Sequence, residues 1–187
     1  MVIKCLSYAG LRFLLLVSSK DIETILDVGC GMGKDSIQLA LLGFKVTGQD
    51  IDKKAIAIAL AIAKSLDVKI KFTAKPLSKI KKRFDCVRCC FVLPFLKDNK
   101  ERMELVKEID RLSKKMFLIQ YQKELITNSI KFSKKEASLL TSKIEEYCKG
   151  KGYKYSIWEE SLIVLRNTWV KLPSICIAVE KFKILEK

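Results

Sequence analysis

Ile25-Leu26-Asp27-Val28-Gly29-Cys30-Gly31-Met32-Gly33-Lys34-Asp35 is the stretch on which the reading of this chain turns. Apolar residues lead into an acid, glycines stand at three alternate positions, and a helical segment follows from Lys34 to Leu42. Glycine has no Cβ, so the backbone can turn sharply after a strand and let a ligand come close to its amides. A second apolar run, Phe44-Lys45-Val46-Thr47-Gly48-Gln49-Asp50-Ile51, also ends in an acid. An acid about 20 residues beyond a glycine turn is placed to meet the two hydroxyls of a ribose. Asp50 alone would read as an ordinary helix N-cap. Paired with the turn, it points to an adenosine-containing ligand.

The glycine spacing narrows the ligand. A dinucleotide fingerprint needs Gly-x-Gly-x-x-Gly, where helix-terminal amides receive a pyrophosphate. Here the pattern is Gly29-x-Gly31-x-Gly33 with Lys34 in the sixth position, and no Gly-Lys-Ser/Thr closes a Walker loop. Asp27 beside the turn would repel a pyrophosphate and suits a ligand with a positive amino group.

Leu-Asp-Val-Gly-Cys-Gly-Met-Gly resembles the first motif of class I S-adenosylmethionine-dependent methyltransferases, and Val-Thr-Gly-Gln-Asp-Ile resembles their second-strand motif. Phe84 to Leu93 is similar to the family's fourth strand and the turn after it, and Glu108 to Ile119 to the next helix and fifth strand. The resemblance implies S-adenosyl-L-methionine as cofactor. It also implies an α/β fold: a seven-stranded, mostly parallel sheet with helices on both faces and a C-terminal antiparallel hairpin. The cofactor-binding set it implies is Asp27, Gly29, Cys30, Gly31, Gly33, Asp50, Ile51, Lys75, Cys89 and Cys90. Ile51 would lie against adenine, and Cys89 or Cys90 would offer backbone groups to the methionine end. The chain departs from the pattern after the third strand. Many members carry an acid there for the adenine amino group, whereas this chain reads Phe72-Thr73-Ala74-Lys75-Pro76, which leaves adenine to backbone and apolar contacts.

The alternation of apolar segments predicts strands near 23–28, 44–49, 69–73, 84–90 and 115–121, and helices near 34–42, 52–65, 99–113 and 134–148. The last helix opens on a capping box, Ser133 to Glu136, and stops at Gly150 and Gly152. Tyr153 to Trp158 and Ile175 to Val179 are two further strand candidates, and 159–174 has no clear pattern. A single domain over 1–187 is expected, with 1–20 forming an N-terminal lid helix over the site.

The chain has no histidine, which removes Ser-His-Asp triads and imidazole bases. Methyl transfer survives that loss, because a sulfonium is already a strong electrophile and the protein's task is to align donor and acceptor. Seven cysteines without a secretory signal point to a reducing cytoplasm. Cys86-x-x-Cys89 has a metal-like spacing, but strand alternation turns the two thiols to opposite faces, so no metal is expected. No apolar run is long enough for a membrane span, and no membrane partner is expected.

The acceptor stays open between classes. Cys89-Cys90-Phe91-Val92-Leu93 replaces the Asn/Asp-Pro-Pro-Tyr/Phe of amino-group enzymes acting on nucleic acid. A cysteine nucleophile of the carbon-5 pyrimidine type would need one of these thiols. A small molecule or a protein side chain is the first reading. A net charge of +15 keeps RNA as the alternative, either as substrate or as the partner of a non-catalytic relative. Against RNA, 30 of the 36 basic residues are lysine, which composition bias alone would give.

Overall fold

In the computed structural model, residues 20–127, 129–166 and 168–181 are described together with Phe13, Leu14 and Val17; between 160 and 172 the backbone alone is described. Strands and helices alternate: β1 Thr24–Val28, α1 Lys34–Leu41, β2 Lys45–Gln49, α2 Lys53–Ser65, β3 Lys71–Thr73, β4 Phe84–Cys90, α3 Asn99–Leu112 and β5 Ser113–Gln122. A two-stranded ribbon, β6 Leu125–Ile126 with β7 Lys131–Phe132, precedes α4 Lys134–Gly150 and the hairpin β8 Lys154–Arg166 and β9 Thr168–Glu180.

The main sheet has seven strands in the order β3-β2-β1-β4-β5-β9-β8. β1 pairs in parallel with both β2 and β4, so the winding reverses at β1, and an open sheet of this kind leaves its ligand crevice at the strand ends there. β9 runs antiparallel to β5 and β8 antiparallel to β9, as the family resemblance implied.

The unplaced segment 159–174 continues both arms of this hairpin. Its sequence hides the turn: no glycine marks it, and Pro173, which ordinarily argues against a strand, sits inside β9. The proline has no N–H to pair, yet its carbonyl accepts from the Lys123 amide at 2.9 Å. The ribbon β6–β7 had no sequence signal.

Helix starts follow their caps. Asp98 accepts from the Lys100 and Glu101 amides at 2.9 Å each, and Ser133 and Glu136 exchange a full capping box. The cap of α2 is Asp52, not Asp50, which frees Asp50 for the turn.

Two cores flank the sheet. Leu26, Val28, Val87, Cys89, Phe117 and Ile119 pack under α3 and α4; Ile25, Cys86, Met116 and Leu118 pack on the other side with Leu39 of α1, Phe13 and Val17. Cys86 and Cys89 thus face opposite ways, as strand alternation requires. The rest of the lid expected over 1–20 lies outside the described residues. Among the described residues no helix is long and apolar enough to cross a membrane.

Candidate functional site

β1 delivers the chain into the crevice and the glycine turn carries it into α1. Gly29, Gly31 and Gly33 all have positive φ (68°, 52° and 76°). Two of them differ instructively. A Cβ on Gly29 would stand 2.2 Å from Val92 Cγ2, so that glycine lets the loop after β4 close on the turn. A Cβ on Gly31 would meet nothing within 4 Å among the described residues, so this part of the turn opens away from them, where a ligand can reach the backbone. The turn is tied to β2 by the Cys30 amide on the Gln49 carbonyl at 3.0 Å.

Asp50 anchors the same turn. Its Oδ2 accepts from the Gly31 amide at 2.8 Å, and its Oδ1 accepts from the Asp52 amide at 2.9 Å. Each oxygen keeps a second lone pair for a hydroxyl. Ile51 follows with 77% of its surface exposed, and Met32 on the turn is 57% exposed; both are apolar surfaces at the crevice. Lys75 is brought to the end of β2 by its backbone: its carbonyl accepts from Gln49 Nε2 at 3.1 Å, and its ammonium group is exposed.

Asp27 sits beneath the turn with its carboxylate turned inward. Ser36 Oγ donates to Oδ2 at 2.5 Å and Arg88 Nη1 to Oδ1 at 3.0 Å. Arg88 also pairs with Asp35 on α1 and lies 5.8 Å from the Phe13 ring. Burial pushes the Asp27 carboxyl above its ordinary range, against the pull of Arg88 and Ser36. Burial works against the Arg88 charge as well, but Cys90, Asp27 and Asp35 outweigh it and hold the guanidinium firmly charged. Around the turn, the carboxyl groups of Asp27, Asp35 and Asp50 gather about this buried guanidinium, with Lys34 and Lys75 exposed at the margin.

Cys89 is fully buried on the α3 side, while Cys90, half-buried, sits on the side of Arg88 and Asp27. Burial raises the thiol pKa of Cys89 and pushes that of Cys30 up to about 12, with Asp27 and Asp50 adding to the latter. Both shifts disfavour the thiolate, the form a cysteine nucleophile needs. Among the described residues no group of three or more cysteine or acidic side chains could hold a metal ion.

Three features were missed from sequence. Arg88, in the middle of the buried strand Phe84–Cys90, was itself a signal, since a buried arginine demands carboxylate partners. Phe91, just beyond β4, holds φ at 61°, a strained conformation for a bulky residue, and its amide donates to the Gln120 carbonyl at 2.7 Å. Arg102, 1% exposed, donates to the carbonyls of Leu93 and Leu96 and fixes the loop that carries Val92 to Gly29.

Sheet order, glycine turn and acid at the end of β2 define a class I methyltransferase fold, the S-adenosylmethionine-dependent type. Residues 25–116, just under half of the chain, match the family model described as "Methyltransferase domain". Over 92 residues it is 36% identical to the ubiquinone biosynthesis O-methyltransferase of Rickettsia bellii (strain OSU 85-389), covering 48% of this chain and 38% of that protein. Over 124 residues it is 34% identical to the protein of the same name from Pelagibacter ubique (strain HTCC1062), covering 64% of this chain and 45% of the relative. The chain thus spans less than half the length of these relatives.

Among solved structures, TehB from Haemophilus influenzae superposes with TM-score 0.72 at 19% identity, over 96% of this chain and 63% of that one. Magnesium protoporphyrin IX methyltransferase from Synechocystis PCC 6803, solved with bound S-adenosylmethionine, superposes with TM-score 0.69 at 18% identity, over 93% and 78%. At such identities the likeness shows the fold.

Proposed function

We propose that this protein is an S-adenosylmethionine-dependent methyltransferase whose acceptor is a small molecule bearing a hydroxyl or amine. The observation that carries the cofactor assignment is the hydrogen bond from the Gly31 amide to Asp50, joining an outward-opening glycine turn to an acid at the end of the neighbouring strand. Asp50 would hold the ribose hydroxyls, Ile51 the adenine face, and Gly29 to Gly33 the methionine end. Asp27 would act through its charge and through the turn, since both its oxygens are engaged. The carboxyl groups gathered at the turn suit a ligand carrying a sulfonium. The cofactor supplies the activated methyl group. The chain's own contribution is alignment and exclusion of water.

The acceptor reading rests on the neighbouring strand ends. Gln120 and Gln122 of β5 share the face of Met116 and Leu118, which is also the face of Asp27 and Arg88. Among the described residues the buried Gln122 Oε1 has no hydrogen-bond partner, and a carboxamide in that state suits a ligand that donates. What supports a small molecule over RNA is the place of the lysines: a groove of Lys45, Lys69, Lys71 and Lys82 opens where the strands begin, at the edge opposite the turn.

Calorimetry with S-adenosylhomocysteine tests the site. Asp50→Ala should weaken binding by about 1–3 kcal/mol, the cost of leaving hydroxyl and amide partners unmatched. Unchanged affinity refutes the ribose assignment, and tighter binding of NAD refutes the cofactor. Labelled methyl groups from S-adenosylmethionine should enter the small-molecule fraction of a cell extract. Label confined to RNA would overturn the acceptor class.

A further inference from the structure

Helix α2 reads Ala55-Ile56-Ala57-Ile58-Ala59-Leu60-Ala61-Ile62-Ala63 between Lys54 and Lys64, with no polar residue in the run. A helix that is apolar all round is normally buried all round. In α2 only Ile56, Ala59 and Ala63 are buried. Ile58, Leu60, Ile62 and Leu66 are exposed, from 38% to 49%, and Ile58, Ile62 and Leu66 fall at i, i+4 and i+8 on one flank. Leu41 and Leu42, at the end of α1, are exposed as well.

The topology collects these groups. α1 and α2 run antiparallel to the strands they connect, so Leu41, Leu42, Ile62 and Leu66 lie at the edge where β2 and β3 begin. That edge carries the lysine groove, about 540 Å³, lined by Lys45, Lys69, Lys71 and Lys82 with Thr24 and Thr47. Lys69 stands three residues after Leu66. Glu23 pairs with Lys45, and among the described residues Lys69, Lys71 and Lys82 form no ion pair. Asp67 is the exposed acid between the apolar stripe and the groove.

From this conjunction we infer that the apolar face of α2 and the adjoining lysine groove are a docking surface for an anionic lipid bilayer. An apolar stripe beside exposed lysines is the composition of a helix that lies in the bilayer interface, its side chains among the acyl chains and its cations at the headgroups. A second copy of the chain is the wrong partner, because pairing two lysine-flanked faces of a +15 chain sets like charges together. Nucleic acid would satisfy the lysines and leave Ile58, Ile62 and Leu66 in water.

Vesicle sedimentation tests this with the full chain. Vesicles of phosphatidylcholine and phosphatidylglycerol at about three to one should bind it, pure phosphatidylcholine should not, and added salt should weaken binding. Ile58→Gln with Ile62→Gln should lower the partition at least about tenfold, and Lys69→Gln with Lys71→Gln and Lys82→Gln should do likewise. Melting by circular dichroism confirms that each variant is folded. Should a double or triple variant fail to fold, the single changes Ile58→Gln and Lys71→Gln, each expected to lower the partition measurably, decide in its place. Equal binding to both vesicle types, binding to neither, or variants that bind like the parent overturn the inference. So does a dimer in sedimentation equilibrium that the Ile58/Ile62 change dissolves, or RNA binding that only the lysine changes reduce.

Discussion

Asp27 and Arg88 are register partners on adjacent parallel strands, and their side chains meet on one face of the sheet as a buried ion pair 3.0 Å apart. Arg88 reaches on to Asp35, so a single guanidinium grips the residues on either side of the glycine turn. Removing it leaves a carboxylate buried without its partner. Arg88→Met should therefore cost about 3–5 kcal/mol in urea unfolding, and the paired change Asp27→Asn with Arg88→Met should cost clearly less than the sum of the single changes. If the costs simply add, the two side chains are not coupled.

Gly29 and Gly31 separate stability from ligand access. Both have positive φ, so an alanine at either pays about 1–2 kcal/mol of backbone strain. Gly29→Ala must also displace Val92 and should lower the melting temperature much further than Gly31→Ala. Gly31→Ala should fold and lose affinity for S-adenosylhomocysteine out of proportion to its stability, because its new methyl group points into the open approach. A Gly31→Ala protein that binds like the parent would place the ligand elsewhere.

Strand-helix alternation and the glycine turn were legible because each depends on local chemistry: short apolar runs, a missing Cβ, a capping serine. The inward turn of Asp27 was not, since it depends on Arg88, which only the β1–β4 pairing brings beside it. Asp50 was read as a ribose acid, but its grip on the Gly31 amide is a contact between segments 19 residues apart. The hairpin β8–β9 was expected, but its extension through 159–174 stayed hidden because its turn carries no glycine and its second arm carries a proline. Phe91 gives no local hint of positive φ.

Thiol chemistry offers an independent check on the electrostatics. Burial and neighbouring carboxylates push Cys30 up to about 12, and burial raises Cys86 and Cys89. Native protein treated with iodoacetamide at neutral pH should leave all three unmodified, as mass spectrometry of the digested product would record. Rapid alkylation of Cys89 would show a thiolate there and reopen a covalent mechanism on pyrimidines.

Asp85 sets the acid limit of the sheet. Its carboxylate accepts from the Thr24 hydroxyl at 2.7 Å and the Thr24 amide at 2.9 Å, so it staples the start of β4 to the start of β1. Burial alone would raise its pKa, but the Thr24 hydroxyl and amide, the Glu23 amide and Lys114 outweigh burial and hold it at about 2. A carboxyl depressed in the folded state stabilises above its unfolded pKa, and that contribution fades as pH falls through the folded value. From an ordinary value near 3.8 the shift corresponds to about 2 kcal/mol, present at neutral pH and lost between roughly pH 4 and pH 2. Asp85→Asn should lower stability at pH 7 and flatten the acid limb of the stability curve, so that the two proteins converge near pH 2. Curves that stay parallel from pH 7 down to pH 2 would assign the acid sensitivity to other carboxylates.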